Sequence, residues 1–391
     1  MREMAPGWSL LTDTIRFDHI RLEVTHTGGT LIIDRGRGDR GPATMGHHQR
    51  FEIPVAGRDV GSIRLFIHGR DAPSLFRTVK AMDERSHDRH VLAWAILVAL
   101  VSGVLICALV YNGFIISWTD ESFQRWYVAW VVLVLGYMLV WTDAIVPLLP
   151  FLAGTWGARL SLLLVGGLVM ASLMFLLTML EKDMVPRWLD IAVRVVAALV
   201  LLTSLLAAAD MLAPAAISDV LFNIAMLTAT ALTGLTVWLA AARGSRAVMF
   251  YALGWSPALL VFALRLARNF GLVSQSDAVD QASFLALAWE GILLALAIAD
   301  RFRQISNEND VADAERQSLI QVAMTDPLTG LANRVVFQQR LAGPGAADGG
   351  CDLIVFDIDY LKQTNDLAGH DAGDALILAV AQRLGAVAGP D

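Results

Sequence analysis

Charge, cysteine and a secretory leader are what this sequence has least of. Only 17% of the 391 residues are Asp, Glu, Lys or Arg, where soluble domains carry roughly 25%. With 56% hydrophobic residues, too little polar surface exists to cover one large water-soluble core, and composition points to a multi-span membrane protein. The two cysteines, Cys107 and Cys351, lie in an apolar run and beside an acidic stretch. A disulfide between them would join a membrane span to a soluble segment, so both are expected to be reduced and structural. A net charge of -7 gives nucleic acid no reason to bind. The start, "MREMAPGWSLLTDTIRF", lacks the basic beginning, the continuous apolar core and the cleavage site of a signal peptide. Either translation begins upstream of it, or the first span exports what precedes it.

Residues 1–90 differ from the rest. "IRLEVTH", "TLIID", "RFEIPV" and "SIRLFIHG" are short, partly alternating segments rich in β-formers, parted by Gly-containing turns. They predict a small β domain with strands near 19–25, 30–34, 50–55 and 62–68. Its 14 Lys and Arg against 12 Asp and Glu give a local charge of +2. "RGRGDRG" has neither the spacing of a phosphate-binding loop nor a helix pattern after it, and reads as a surface loop. His47 and His48 are adjacent and have no further ligand at metal-site spacing, so they read as a solvated loop in preference to a metal site.

Apolar runs follow near 91–117, 126–149, 158–180, 188–209, 216–242, 247–270 and 280–299, each long enough to cross a bilayer as a helix of about 20 residues. Seven spans put the termini on opposite sides. With the N-terminus outside, the inner loops and the stretch after the last span hold Arg125, Lys182, Arg187, Arg243, Arg246, Arg301 and Arg303, while the outer loops hold Arg159, Arg265 and Arg268. This bias places the β domain outside and the C-terminus in the cytoplasm. Lys80, Arg85 and Arg89, on the outer side before the first span, oppose it. Among ionisable residues within the runs Glu290 is the most central; it is either a buried polar contact that orients helices or a ligand or switch group. Arg194, Asp143 and Arg265 lie nearer run ends. Beyond the last span, Ile305, Ala312 and Leu319 recur every seven residues, compatible with a parallel helical dimer or with a plain amphipathic linker helix.

The chemistry is concentrated near the C-terminus. "CDLIVFDID" predicts a short buried strand from Leu353 to Phe356 that ends in Asp357 and Asp359. Carboxylates at the end of a strand can hold a hard cation such as Mg²⁺. Lys362 could serve a phosphate as a point charge, and Asn365 and Asp374 carry groups that can hydrogen-bond a purine edge. A solvated loop or a helix cap is the plain alternative; the order of these residues favours a nucleotide and metal site. "GDALILAVAQRLGAV" then predicts an amphipathic helix with Leu376, Val380, Leu384 and Val387 on one stripe.

"MTDPLTGLANRVVF", "FDIDYLKQTND" and "AGHDAGD", in this order, closely resemble the first half of the GGDEF domain of diguanylate cyclases, over residues 323–391. The resemblance implies a palm-like α+β fold related to nucleotidyl cyclases. In such a domain two GTP-loaded subunits meet and form cyclic di-GMP and pyrophosphate. It also implies that Asp357 and the Ile358 carbonyl hold Mg²⁺, that Tyr360, Leu361 and Lys362 form the phosphate-holding turn, and that Asn365 and Asp374 read guanine. Leu361 stands where the family often has Phe. The 391 residues contain no Gly-Gly-Asp/Glu-Glu-Phe block, hence no second acidic metal ligand and no assigned catalytic residue, and the resemblance implies a truncated, inactive form. "VYNGFIISWTDESFQRWYVAW" and "LAIADRFRQ" resemble the bacterial seven-transmembrane receptors with diverse intracellular signalling modules, in which an external β domain senses a ligand.

The expectation is a multi-domain inner-membrane receptor. Residues 1–90 form the β sensor, 91–300 a seven-helix transmembrane bundle, 301–322 a signalling linker helix and 323–391 the first half of a GGDEF domain. Its expected partners are GTP, an unidentified extracytoplasmic ligand, membrane lipid and a second copy of the chain. A non-catalytic receptor with a degenerate GGDEF module, and a transporter with a regulatory tail, are the rival readings.

Overall fold

The computed structural model describes residues 4–13, 19–36, 45–46, 48–68, 79–116, 121–152, 155–181, 183–209, 215–269, 277–342 and 354–388. It divides into two units, Met1–Arg301 and Phe302–Asp391.

Among the described residues the first unit opens with six strands: β1 (Trp8–Asp13), β2 (His19–His26), β3 (Gly29–Gly36), β4 (His48–Ile53), β5 (Val60–His68) and β6 (Val79–Met82). They form two antiparallel three-stranded sheets, ordered β4-β1-β6 and β3-β2-β5. In β2 the alternation places Ile20, Leu22 and Val24 inward and Arg21 and Glu23 outward. The inward row meets Trp8, Leu10, Phe51 and Ile53 from the other sheet in one shared core. Each such side chain contributes about 1.5–3 kcal/mol by leaving water. Trp8 keeps its indole N–H satisfied by donating to the Val55 carbonyl at 2.9 Å.

Two of these strands, β1 and β6, were not expected. "WSLLTD" is too apolar to alternate and "VKAM" is only four residues long, yet they pair with each other, Ser9 opposite Met82 and Thr12 opposite Val79. The "RGRGDRG" stretch also differs in part from the loop expected. Arg35 lies in β3, its guanidinium 4.2 Å above the Phe51 ring and donating to the Arg50 carbonyl at 2.6 Å; residues 37–41 lie outside the described ones.

Among the described residues seven α-helices follow: α1 (Glu84–Ile116), α2 (Ser122–Trp141), α3 (Thr155–Met179), α4 (Arg187–Ala208), α5 (Ala215–Ala242), α6 (Ala247–Asn269) and α7 (Asp277–Met324). Among the described residues six are long and apolar enough to cross a membrane; α6 contributes a shorter apolar helical stretch, Ala247–Val261, and holds Pro257 within it. Leu92, Ile96, Leu100 and Val110 of α1 and Ile191, Val195 and Leu202 of α4 are exposed. Such faces suit lipid and not water. Cys107 on α1 is a free thiol, and Cys351 lies outside the described residues.

Small residues let these helices approach. A Cβ at Gly166 of α3 would stand 2.0 Å from the Ser204 hydroxyl oxygen of α4, so only glycine permits this crossing. On α7, Gly291 packs on Trp130 and Leu105, and its carbonyl accepts a 2.9 Å hydrogen bond from the Tyr127 hydroxyl.

In the second unit the remainder of α7 is followed by α8 (Arg334–Ala342), α9 (Leu361–Ala368) and α10 (His370–Ala388). The "TDPLTGLAN" turn joins α7 to α8. Asp326 accepts from the Thr329 amide (2.9 Å), the Thr329 hydroxyl (2.9 Å) and the Leu328 amide (3.2 Å), which holds its carboxyl below the ordinary range. Asn333 caps α8 by accepting from the Val335 amide at 2.9 Å.

The strand expected at Leu353–Phe356 is not seen. Residues 354–358 carry no ladder, and Ile354, Val355 and Phe356 are exposed; Leu353 lies outside the described residues. A β-rich composition becomes a strand only where a neighbour pairs with it, and among the described residues none does.

Candidate nucleotide and metal site

The candidate residues lie on the 354–358 segment, on α9 and on α10. Asp357 and Asp359 are exposed and Ile358 is half-buried. A carboxylate oxygen and a backbone carbonyl outside any sheet are therefore open to a cation, and these are the donors that a hard ion takes. Tyr360 then turns the chain through the left-handed region, with φ 62° and ψ 15°, a conformation uncommon outside glycine.

That turn starts α9. No side chain caps its N-terminus, so the first amides, at Leu361 and Lys362, keep unspent donors aimed at the helix start. Such a start suits phosphate oxygens. The Thr364 amide donates to the Tyr360 carbonyl at 3.0 Å, and Lys362 is exposed one residue into the helix.

The closest constraint joins Asn365 to α10. α9 ends at Gly369, whose φ of 87° and N–H, donating a hydrogen bond to the Asn365 carbonyl (3.0 Å), reverse the chain. This reversal brings Gly373 under the Asn365 side chain: a Cβ at 373 would lie 1.8 Å from Asn365 Oδ1 and 2.8 Å from Cγ. Asn365 Oδ1 is buried and has no hydrogen-bond partner. Asp374, the next residue after Gly373, is exposed. The structure thus brings the two expected guanine readers to one helix–helix corner. Asp357 and Ile358 remain on a segment that pairs with no strand among the described residues. The stripe expected on α10 is half-buried at Leu376, Val380 and Leu384 and exposed at Val387.

Within the first unit, Glu290 of α7 is 4% exposed. It lies beside Gly254 and next to Ser172, Tyr251 and Trp255, and Ser172 and Tyr251 share a 3.1 Å hydrogen bond. It faces other helices, as a carboxylate between spans must. Sequence reasoning missed a different group, in which His48, His90 and Asp277 converge. His48 is a buried residue of β4 and not a solvated one, and His47 lies outside the described residues. No local spacing links residues so far apart in sequence.

Comparison with known proteins places both halves. The 7TM diverse intracellular signalling family matches residues 94–301. The chain belongs to this family. In this 7TM diverse intracellular signalling protein, residues 323–391 match the diguanylate cyclase GGDEF domain. The cyclic di-GMP phosphodiesterase NbdA of Pseudomonas aeruginosa is 35% identical over 117 residues, 26% of this chain and 14% of that protein. The diguanylate cyclase DgcP of the same organism is 37% identical over 92 residues, 22% of this chain and 14% of that protein. The diguanylate cyclase DgcN of Escherichia coli is 38% identical over 74 residues, 18% of each chain. The matched stretch spans less than a fifth of the length of each of these relatives. No solved structure matches the chain. Two matched regions and several apolar helices make it a multi-domain membrane protein with a GGDEF segment.

Proposed function

We propose that this protein is a seven-span inner-membrane receptor whose output is the GGDEF domain, and that the 354–374 region holds the GTP and Mg²⁺ of a diguanylate cyclase. The β domain lies outside, where it meets a ligand, and residues 323–391 lie in the cytoplasm, where GTP is available. Residues 301–322 carry the signal between them. Asp357 and the Ile358 carbonyl hold Mg²⁺, which when bound offsets charge on the reacting phosphate. The Tyr360 turn presents the amides of Leu361 and Lys362 and the Lys362 ammonium to the phosphates. Asn365 and Asp374 read the guanine edge.

The observation that carries this reading is the Asn365 amide held over Gly373 beside Asp374, with a buried oxygen still unpartnered. A plain helix cap would have used that oxygen. These 391 residues hold one acidic metal position of the family pattern and no Gly-Gly-Asp/Glu-Glu-Phe block, so we assign to them the binding of GTP and metal. Turnover belongs to a polypeptide that carries both blocks and meets a second copy, since each product needs two GTP. The exposed apolar residues of α7 past the bundle, Val311, Leu319 and Val322, suit such a pairing.

Guanine selectivity tests the assignment. In a chain extended through a complete GGDEF domain, GTP should bind better than inosine triphosphate, which lacks the exocyclic amine. Asp374→Ala should narrow that preference while leaving phosphate binding in place. Equal binding of both nucleotides by the unaltered protein would remove Asn365 and Asp374 from the site.

A further inference from the structure

In the first unit, side chains from three separate elements converge on one point. His48 of β4, His90 of α1 and Asp277, the first residue of α7, offer ligand atoms that all lie within 4.8 Å of one another. His48 Nε2 is 3.7 Å from Asp277 Oδ1, and His90 Nδ1 is 3.4 Å from Asp277 Oδ2. Their side chains are 7%, 9% and 20% exposed. The imidazole rings are 5.3 Å apart, tilted by 47°. His90 Nε2 is buried and has no hydrogen-bond partner. Lys80 of β6 reaches the same carboxylate, its ammonium 2.5 Å from Oδ1. His87 and Asp143 also lie near enough to act electrostatically on the histidines.

Two imidazole nitrogens and one carboxylate oxygen form a donor set for a borderline transition cation and not for Mg²⁺ or Ca²⁺, which take oxygen. At zinc bond lengths, tetrahedral ligand atoms stand about 3.3 Å apart. The two histidine–carboxylate separations, 3.7 Å to Oδ1 and 3.4 Å to Oδ2, approach that value, and the ligand atoms as a set lie within 4.8 Å of one another, so side-chain rotation is what closes the set on one ion. Three protein ligands leave one position open, which makes the site an exchangeable one and not a permanent staple.

We propose that His48, His90 and Asp277 bind a divalent transition cation, Zn²⁺ being the best fit, and that Lys80 holds the Asp277 carboxylate when the metal is absent. Cation and ammonium compete for one carboxylate. Metal binding therefore exchanges a β6–α7 ion pair for a bond network that ties β4 and the start of α1 to the start of α7. The helix so gripped is the one that continues to Met324. This gives the receptor a ligand of stated chemistry and does not depend on the nucleotide reading of the other unit.

The test is Co²⁺ titration of the full chain in nanodiscs, purified without a polyhistidine tag and stripped with chelator, followed through visible absorption and then displaced by Zn²⁺. One tightly held ion per chain is expected, with the strong absorption of low-coordinate cobalt. His48→Gln and His90→Gln should each weaken binding by tenfold or more, and His68→Gln and Asp357→Ala should leave it unchanged. Lys80→Met should tighten binding by about tenfold, the lower end of what groups around a metal site contribute; a gain of affinity cannot come from misfolding. Absence of a stoichiometric ion at excess metal would overturn the proposal. So would binding that survives both histidine substitutions, or a Lys80→Met protein that binds no more tightly than the unaltered one.

Discussion

Replacing Gly373 by alanine separates the site from the fold more cleanly than removing a site residue. Gly373 lies inside α10 and its backbone is not in the left-handed region, so alanine fits the helix and should stabilise it by roughly 0.5–1 kcal/mol through propensity. The added Cβ, however, would stand 1.8 Å from Asn365 Oδ1, 2.8 Å from Cγ and 3.2 Å from Nδ2. The obstacle is the end of a flexible side chain, so the amide rotates aside and does not unfold the hairpin. Displacing it costs about 0.5–1.5 kcal/mol in rotamer energy if it is pulled back for binding, or about 0.5–1.5 kcal/mol if its hydrogen bond to guanine is lost. In a chain extended through a complete GGDEF domain, Gly373→Ala should weaken GTP binding about 2- to 13-fold, corresponding to about 0.5–1.5 kcal/mol. Isothermal titration gives the affinity and circular dichroism the melting. Unchanged GTP affinity in a protein with an intact melt would refute the role given to Asn365.

Glu290→Leu should insert and fold, because leucine suits a helix between spans, but it strips the Ser172, Tyr251 and Trp255 corner of its carboxyl partner. In an extended, signal-responsive protein the change in cyclic di-GMP output on stimulation should shrink, and a response of ordinary size would reduce Glu290 to packing. Leu22→Ala, at a fully buried position of β2, should destabilise the β domain by about 2–5 kcal/mol, read as a shifted denaturant midpoint of the full chain; a shift too small to measure would mean that this core is not what holds the sheets together. Reporter fusions after residue 310 should behave as cytoplasmic and fusions within residues 20–80 as external. Reporters on one side only would remove the seven-span arrangement.

What the sequence made legible were features carried by neighbours along the chain. Seven apolar runs announce helices because about 20 successive apolar residues suffice for a span, and β2 announces itself by alternation within eight residues. The TDPLTG turn and the FDIDYLK segment are local patterns too. Features made by distant pairing were not legible. β6 exists only because β1 accepts it, and the Ile354–Phe356 strand was expected from composition that finds no partner. Lys80 and Asp277 meet across 197 residues. The His48 cluster has no signature in spacing, since its ligands come from a strand and from the starts of two helices.

The account rests most heavily on Asp357 as a metal ligand of a cyclase output. The most direct test is chromatography of the product formed from GTP and Mg²⁺ by a chain extended through a complete GGDEF domain, with and without Asp357→Ala. The account predicts cyclic di-GMP from the first protein and none above background from the second, because the loss of a carboxylate leaves charge on the reacting phosphate unbalanced. Full activity in the Asp357→Ala protein, or no product from the extended parent, would contradict it.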